Sequence, residues 1–361
     1  MINSPEKIQA DNSMNNFYHQ IANSKKILVI DLGFLGDVIQ LIPSLWVLRR
    51  SFPNAEIHVV VSSNVVSLFD CFPWVNRVWG YMRYPRHATL SETFHFVQGV
   101  RREHFDCLIN LNGSDRSGWL GLLSGIPKRL GRVTSRGRRF VTDIFFSHYV
   151  DYPYEHESLY IQRAKCLEMV GFPKFRYEFN CIIYPYSLDG TGIGEDCFKT
   201  YFHISPFTTA DRKELASDVI AGLLNSLHIK YPYMKIILSC ASTERELDKM
   251  TQLLNLLSFQ PWKVFPGNLN LVQLVSVIKN SLLHLSGDTG SMHIAFMTET
   301  PTLSWFQPTK SKDWIPVGEY HSVLFGLELG DEDFIEGIKV ASITNEVGML
   351  LNKLFVTPLG D

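Results

Sequence analysis

The chain has 361 residues, more than one hydrophobic core usually serves, so two domains are expected. With 45% hydrophobic and 19% charged residues and a formal net charge of −2, it is an ordinary globular composition, which excludes nucleic acid as the partner of the molecule as a whole. No apolar run approaches the roughly 18 residues needed to cross a bilayer. The greasiest stretch, Val272 to Leu285, is broken by Lys279.

Residues 1–24 are polar and lack the apolar centre of a signal peptide, so they are expected to be a flexible lead-in. Lys26 to Asp31 is a short apolar run followed by a glycine, the pattern of a buried parallel strand. Gly33 and Gly36 punctuate a loop, and Val38 to Arg50 carries apolar residues at helical spacing. Pro53 and Asn54 mark a turn before a strand at Glu56 to Val61. A short helix is expected at Asn64 to Cys71, strands at Arg77 to Gly80 and Phe105 to Leu111, and a helix at Ser117 to Leu123. Alternation of this kind predicts parallel βαβ units.

Tyr184 to Gly194 is rich in Pro, Gly, Ser and Tyr and reads as a link between domains. The alternation then restarts. Strands are expected at Tyr201 to Ser205, Lys235 to Cys240, Ser281 to Ser286 and Thr302 to Phe306. Helices are expected at Arg212 to Leu227, Thr243 to Leu257, Leu271 to Lys279 and from Gly290 to Met297. The expected organisation is a lead-in over 1–24, a first Rossmann-like domain over 25–185, a linker over 186–198, a second Rossmann-like domain over 199–335 and a final helix within 336–361. Two such halves would enclose a ligand cleft. The six cysteines form no C-x-x-C pair and read as reduced core thiols, as in a cytoplasmic protein.

Three constellations carry chemistry. In Gly33-Phe-Leu-Gly36-Asp37 the glycines allow a sharp strand-to-helix turn. Asp37, at or near the helix N-cap, reads first as a cap and second as a carboxylate able to take one proton. The spacing is not G-x-G-x-x-G, which argues against a nicotinamide-dependent oxidoreductase. Ser286-Gly-Asp-Thr-Gly-Ser-Met-His293 follows an apolar strand and opens a helix, where free N–H groups favour an anion. Its plainer reading is a helix capped by Asp288. Thr208-Thr-Ala-Asp-Arg-Lys213 offers two hydroxyls and a mobile cation, or simply a surface helix start.

Taken together, these residues resemble the ADP-heptose-dependent heptosyltransferases. The likeness lies in Ile27 to Pro43 with its Gly-Asp turn, in Leu48 to Ile57, in Asp288-Thr-Gly-Ser-Met-His-Ile-Ala295, and in Thr300 to Thr309 followed by Trp314. It runs from about Lys25 to about Pro316. The resemblance implies an α/β protein of the GT-B type, two Rossmann-like domains facing across a cleft, that moves a sugar with inversion. It implies Asp37 as base, with Gly36 beside it on the acceptor side. It implies Lys213 at the donor's diphosphate, Asp288, Thr289, Gly290 and His293 as the nucleotide-sugar loop, and Glu244 at the ribose; the hydroxyls of Thr208 and Thr209 are read as further donor-binding groups. Gln307 departs from the family's usual glycine, and Glu214 and Leu215 replace an aromatic residue. The donor implied is a nucleotide diphosphate sugar, ADP-heptose above others. The acceptor implied is an anionic glycolipid or glycan.

No cofactor and no metal are expected, because a lysine and a helix end already meet the diphosphate. Asp331-Glu-Asp333 reads as a solvated acidic turn. Lys128, Arg129, Arg132, Arg136, Arg138 and Arg139 form a basic run, either a solvated face or a contact for an acceptor phosphate or the anionic inner membrane. A cytoplasmic enzyme with peripheral membrane contact would follow. The alternatives are a non-catalytic nucleotide-sugar-binding relative, against which the presence of both Asp37 and Lys213 argues, and a transferase of the same family using another nucleotide sugar on a capsule or small-molecule acceptor.

Overall fold

A computed structural model of the chain describes residues 17–83, 87–112, 114–133, 144–152, 158–174, 188–307, 315–316, 318–329, 332–333, 335 and 337–356. The chain divides into two compact units, Met1–Cys181 and Ile182–Asp361.

The first unit holds a six-stranded parallel sheet built from β1 (Lys26–Ile30), β2 (Glu56–Ser62), β3 (Arg77–Tyr81), β4 (Cys107–Asn110), β5 (Lys128–Val133) and β6 (His148–Asp151). Its strand order is β3-β2-β1-β4-β5-β6. Helices α1 (Phe17–Gln20), α2 (Leu35–Ser51), α3 (Leu90–Arg102), α4 (Asp115–Leu123) and α5 (Leu159–Met169) accompany it. Ile27, Leu28 and Val29 are fully buried, as expected of a central strand covered on both faces. Asn64 to Cys71, expected as a short helix, lies in a 3₁₀ turn over Ser63–Cys71.

The second unit repeats the plan with β7 (Tyr201–Ser205), β8 (Lys235–Cys240), β9 (Lys263–Pro266), β10 (Leu283–Gly287), β11 (Thr302–Phe306) and β12 (His321–Phe325). Its order is β12-β11-β10-β7-β8-β9, the same order counted from its own first strand. Helices α6 (Ser217–Lys230), α7 (Glu244–Asn255), α8 (Leu271–Asn280), α9 (Gly290–Met297) and α10 (Val340–Val356) complete it, with a small antiparallel pair β13 (Glu328–Leu329) and β14 (Glu332–Asp333). Ile343, Val347, Leu350 and Leu351 of α10 join the core with Leu223, Leu224 and Leu227 of α6. Both units are therefore Rossmann-like α/β layers, as the alternation predicts.

Two boundaries differ from the sequence reading. Phe17 and Ile21, placed in the flexible lead-in, are buried, and Tyr18 packs its ring 4.9 Å from Phe172. The average polarity of residues 1–24 hid these apolar anchors. Likewise Leu188, Ile193 and Cys197, placed in the linker, pack with Tyr201, Ile237, Phe265 and Val277 in the second unit. The glycines there make turns in packed chain, not a free link. Cys71, Cys107, Cys166 and Cys197 are buried free thiols and Cys240 is half-buried. Burial pushes Cys107 up to about 12, which keeps it protonated and inert.

A polar row crosses the second sheet. His203, His284, Thr302 and His321 stand in register on adjacent strands. His203 and His284 share a hydrogen bond between their Nδ1 atoms at 2.9 Å, and His203 Nε2 lies 3.0 Å from Ser239 Oγ. Thr302 Oγ1 lies 2.9 Å from His321 Nδ1. Burial holds His203 well below the usual histidine range, and brings His284 to about 3 and His321 to about 4. The unfolded chain thus binds protons first as pH falls. Stability from these groups is full above about pH 6.5 and is lost downward through about 4, at roughly 1.4 kcal/mol per histidine per pH unit. Urea unfolding between pH 7 and pH 4.5 is expected to show this decline, and to show less of it in His284→Gln. A pH-independent midpoint in the unsubstituted protein would refute it.

Candidate active site

In each unit the chemistry-bearing loops leave the carboxyl ends of the first and fourth strands, where the strand order reverses. That is the usual ligand position in open α/β sheets.

In the first unit these loops follow β1 and β4. Gly33 is required for the turn: a Cβ there would stand 2.2 Å from Asp37 Cβ. Asp37 is not the N-cap. Phe34 is, and Asp37 sits three residues later, its Oδ2 accepting the Phe34 backbone N–H at 2.8 Å. Gly36 precedes it on the first turn of α2. Behind it lies Asp31, fully buried, whose Oδ1 accepts from Gly33 N at 2.8 Å and from Asn112 Nδ2 at 2.6 Å. Arg163 of α5 donates from one nitrogen to Asp31 Oδ2 and to the Asp37 backbone carbonyl, both at 2.6 Å. Its other terminal nitrogen stands 3.6 Å from Asp37 Oδ1. Burial, and then the Asp31 carboxylate, raise Asp37 above the ordinary carboxylate range, with Arg163 opposing them.

Sequence reasoning missed Asp31, Asn112 and Arg163. A lone carboxylate ending an apolar strand was the available signal, since a buried charge needs a partner. Nothing in the sequence marked Arg163 as that partner.

In the second unit the loops follow β7 and β10. Lys213 donates to Asp288 Oδ2 at 2.5 Å, joining two expected site residues. Thr289, not Asp288, caps α9, accepting from Ser291 N at 3.1 Å, and Gly290 begins the helix. Gly287 keeps this corner tight: a Cβ would meet Trp305 Nε1 at 3.0 Å, Thr208 Cγ2 at 3.1 Å and Lys213 O at 3.2 Å. His293 is buried, and desolvation brings it to about 4, so it is neutral at pH 7.

The helix expected from Arg212 starts instead at Ser217. Asp211–Lys213 is a 3₁₀ turn followed by extended chain, because Glu214 is drawn inward. Its carboxylate accepts from Thr208 N at 2.7 Å, from Arg245 at 2.9 Å and from Lys249 at 2.6 Å. Arg245 also bonds the Thr208 carbonyl and Asp211, and Lys249 bonds Asp211. Glu214, noted from the sequence only as a departure, thus ties the Thr208–Lys213 loop to α7. Thr208 is buried, its hydroxyl donating to Ala210 O at 2.9 Å, whereas Thr209 is exposed. Glu244 is exposed at the first turn of α7, while the buried acid there is Glu246, accepting from Ala241 N at 2.8 Å. A cavity of about 340 Å³ beside this cluster is lined by Phe207, Leu215 and Ile335 with Asp211, Glu214 and Lys249.

The basic run divides. Arg136, Arg138 and Arg139 lie outside the described residues. Lys128 donates to Gln20 O at 2.6 Å, and Arg129 ties the carbonyls of Phe145 and Ile126 at 2.6 and 2.7 Å. Arg132, expected at the acceptor, is 1% exposed and donates to Gln162 Oε1 at 2.7 Å and Tyr152 O at 3.2 Å. A buried guanidinium is held by packing and hydrogen bonds rather than presented to a ligand. Arg132→Ser is expected to cost on the order of 1–3 kcal/mol of stability and to leave the acceptor Michaelis constant unchanged. Denaturation and steady-state kinetics check this, and a raised acceptor constant at unchanged stability would return Arg132 to the acceptor.

Among the described residues no group of His, Cys, Asp or Glu has the arrangement of a metal site, and no helix is long and apolar enough to cross a membrane. Asp331 lies outside the described residues, and Glu332–Asp333 form the short strand β14.

The model of glycosyltransferase family 9 (heptosyltransferase) matches residues 93–333. Lipopolysaccharide heptosyltransferase 3 of Escherichia coli is 20% identical over 294 residues, covering 79% of this chain and 84% of that protein. The crystal structure of a family 9 glycosyltransferase from Veillonella parvula superposes with a TM-score of 0.77 at 17% identity, covering 91% of this chain and 98% of that one. The E. coli ADP-heptose lipopolysaccharide heptosyltransferase II gives 0.74 at 18% identity, covering 91% and 99%. The chain belongs to glycosyltransferase family 9, the heptosyltransferase family, and is a glycosyltransferase. The matched span takes in β4 and the whole donor-side cluster, while the Gly33–Asp37 turn precedes it.

Proposed function

We propose that the enzyme transfers a heptose from ADP-heptose, with inversion, to a hydroxyl of an anionic lipopolysaccharide-core or related glycan acceptor. The observation that carries this is the meeting of the two donor-side loops, through Lys213 and Asp288, at the start of α9. A cation beside a helix N-terminus is suited to the charge of a departing diphosphate. The acceptor oxygen attacks the anomeric carbon as the bond to the diphosphate breaks, and Asp37 takes the hydroxyl proton. The nucleoside diphosphate leaves with the bonding pair, its charge met by Lys213 and the backbone N–H groups that open α9. Thr208 and Gly287 shape that corner, and neutral His293 supports it from within. No cofactor is required, and contact with the anionic inner-membrane face would bring the acceptor to the first unit.

A donor screen with product mass spectrometry tests this. Product is expected with ADP-heptose and a lipopolysaccharide-core acceptor. Product only with another nucleotide sugar would overturn the donor, and no product with any would favour a binding-only relative.

Activity is expected to survive EDTA, since a lysine and a helix end serve the diphosphate. Complete loss with EDTA, restored by magnesium or manganese, would put a metal in their place.

A further inference from the structure

We propose that Arg163 is a positioning residue: by committing its guanidinium to Asp31 and to the Asp37 backbone, it leaves the Asp37 side chain as the carboxylate that receives the acceptor proton. This rests on the reading of Asp37 as the base.

Two carboxylates share one guanidinium here, and their surroundings differ. Asp31 has three donors, Gly33 N–H, Asn112 Nδ2 and Arg163, all within 2.8 Å, and is closed to solvent. Its charge is spent on holding the turn. Asp37 accepts the Phe34 N–H, and its side chain keeps 21% of its surface exposed. At 3.6 Å, Arg163 gives it electrostatic attraction without a short hydrogen bond. Oδ1 is thus left to accept from a substrate hydroxyl. Two acids whose environments are pushed apart are the usual means of giving one carboxyl a structural role and its neighbour a proton-transfer role.

The same guanidinium fixes where Asp37 stands. Its bond to the Asp37 carbonyl pins the first turn of α2 to α5, across 126 residues of sequence.

The charges facing Asp37 are Asp31 from the end of β1, Arg163 from α5 and Arg83 after β3. Burial and Asp31 favour the protonated acid, and the two arginines oppose them. The balance sets the sign of the test. In Asp31→Asn, Arg163 loses its first carboxylate and turns to Asp37. The acid limb of the kcat/KM profile then moves to lower pH, by about one unit, and the plateau falls as the base weakens. In Arg163→Gln the limb moves to higher pH.

The experiment is the pH profile of transfer for the unsubstituted enzyme, Asp31→Asn, Arg163→Gln and Asp37→Asn, with nucleotide affinity measured alongside. Opposite displacements in the first two variants, at unchanged nucleotide affinity, are expected. A merely structural role would lower the amplitude and leave the limb in place, which would overturn the proposal. Arg163→Gln strands a buried carboxylate, so where it does not fold, Asp31→Asn decides alone, keeping the cation and an amide oxygen to accept from Gly33 N and Asn112 Nδ2. Full turnover in Asp37→Asn would remove Asp37 as base. An inactive Asp37→Asn beside an unmoved limb in Asp31→Asn would remove only the role of Arg163.

Discussion

Replacing Asp37 with asparagine is expected to lower transfer by roughly 10²–10⁴-fold, the usual contribution of a general base, and to leave donor-nucleotide affinity unchanged. The amide keeps an acceptor for the Phe34 N–H, so the start of α2 is preserved and the loss reports on chemistry. Asp37→Ala separates the two roles further. It removes the acceptor as well, at a cost of about 0.5–2 kcal/mol if the contact behaves like other helix-start caps. Equal catalytic loss in both variants, with lower stability only in the alanine, is the expected pattern. Near-normal turnover in Asp37→Asn would leave Asp37 as a helix-start residue and nothing more.

Lys213→Ala is expected to weaken donor binding and to reduce kcat by about 10²–10³-fold, the scale seen when one donor to a developing anion is removed. Asp288 makes the effect larger than a lost contact. Without Lys213 its carboxylate stands unpaired where a diphosphate must bind, and like charges repel. Adding Asp288→Asn to Lys213→Ala is therefore expected to recover part of the donor affinity. Lys213→Arg is expected to recover only part, because a planar fork does not replace a compact ammonium. Steady-state kinetics with nucleotide titration decide it. Unchanged affinity and rate in Lys213→Ala would confine Lys213 to its ion pair.

The central strands were legible because a buried parallel strand is a short apolar run, and β1, β7, β8 and β11 are such runs. β5 was not, since Lys128, Arg129 and Arg132 fill half of it. Those side chains satisfy carbonyls and amides inside the fold, which composition reads as a basic surface. α3 was missed although Thr89 and Glu92 form a reciprocal cap, because its apolar stripe is thin. At the site, Lys213 and Asp288 lay in motifs and were found. Arg163 and Asn112 reach Asp31 from 132 and 81 residues away, and such partnerships are written in the fold alone.

Helix α10 has a consequence for how the molecule is made. The first unit's core is filled by residues up to Phe172, whereas the second unit needs Ile343, Val347, Leu350 and Leu351. During synthesis at about 5–20 residues per second, some 10–35 s separate the two. For roughly the last 6–25 s of that interval, once α6 is made, Leu223, Leu224 and Leu227 lack the cover of α10. The first unit can fold while still tethered to the ribosome, and the second must wait for its last helix. Rare codons or a stalled message beyond Phe306 would hold an open apolar core in the cell, where chaperones and proteases compete for it.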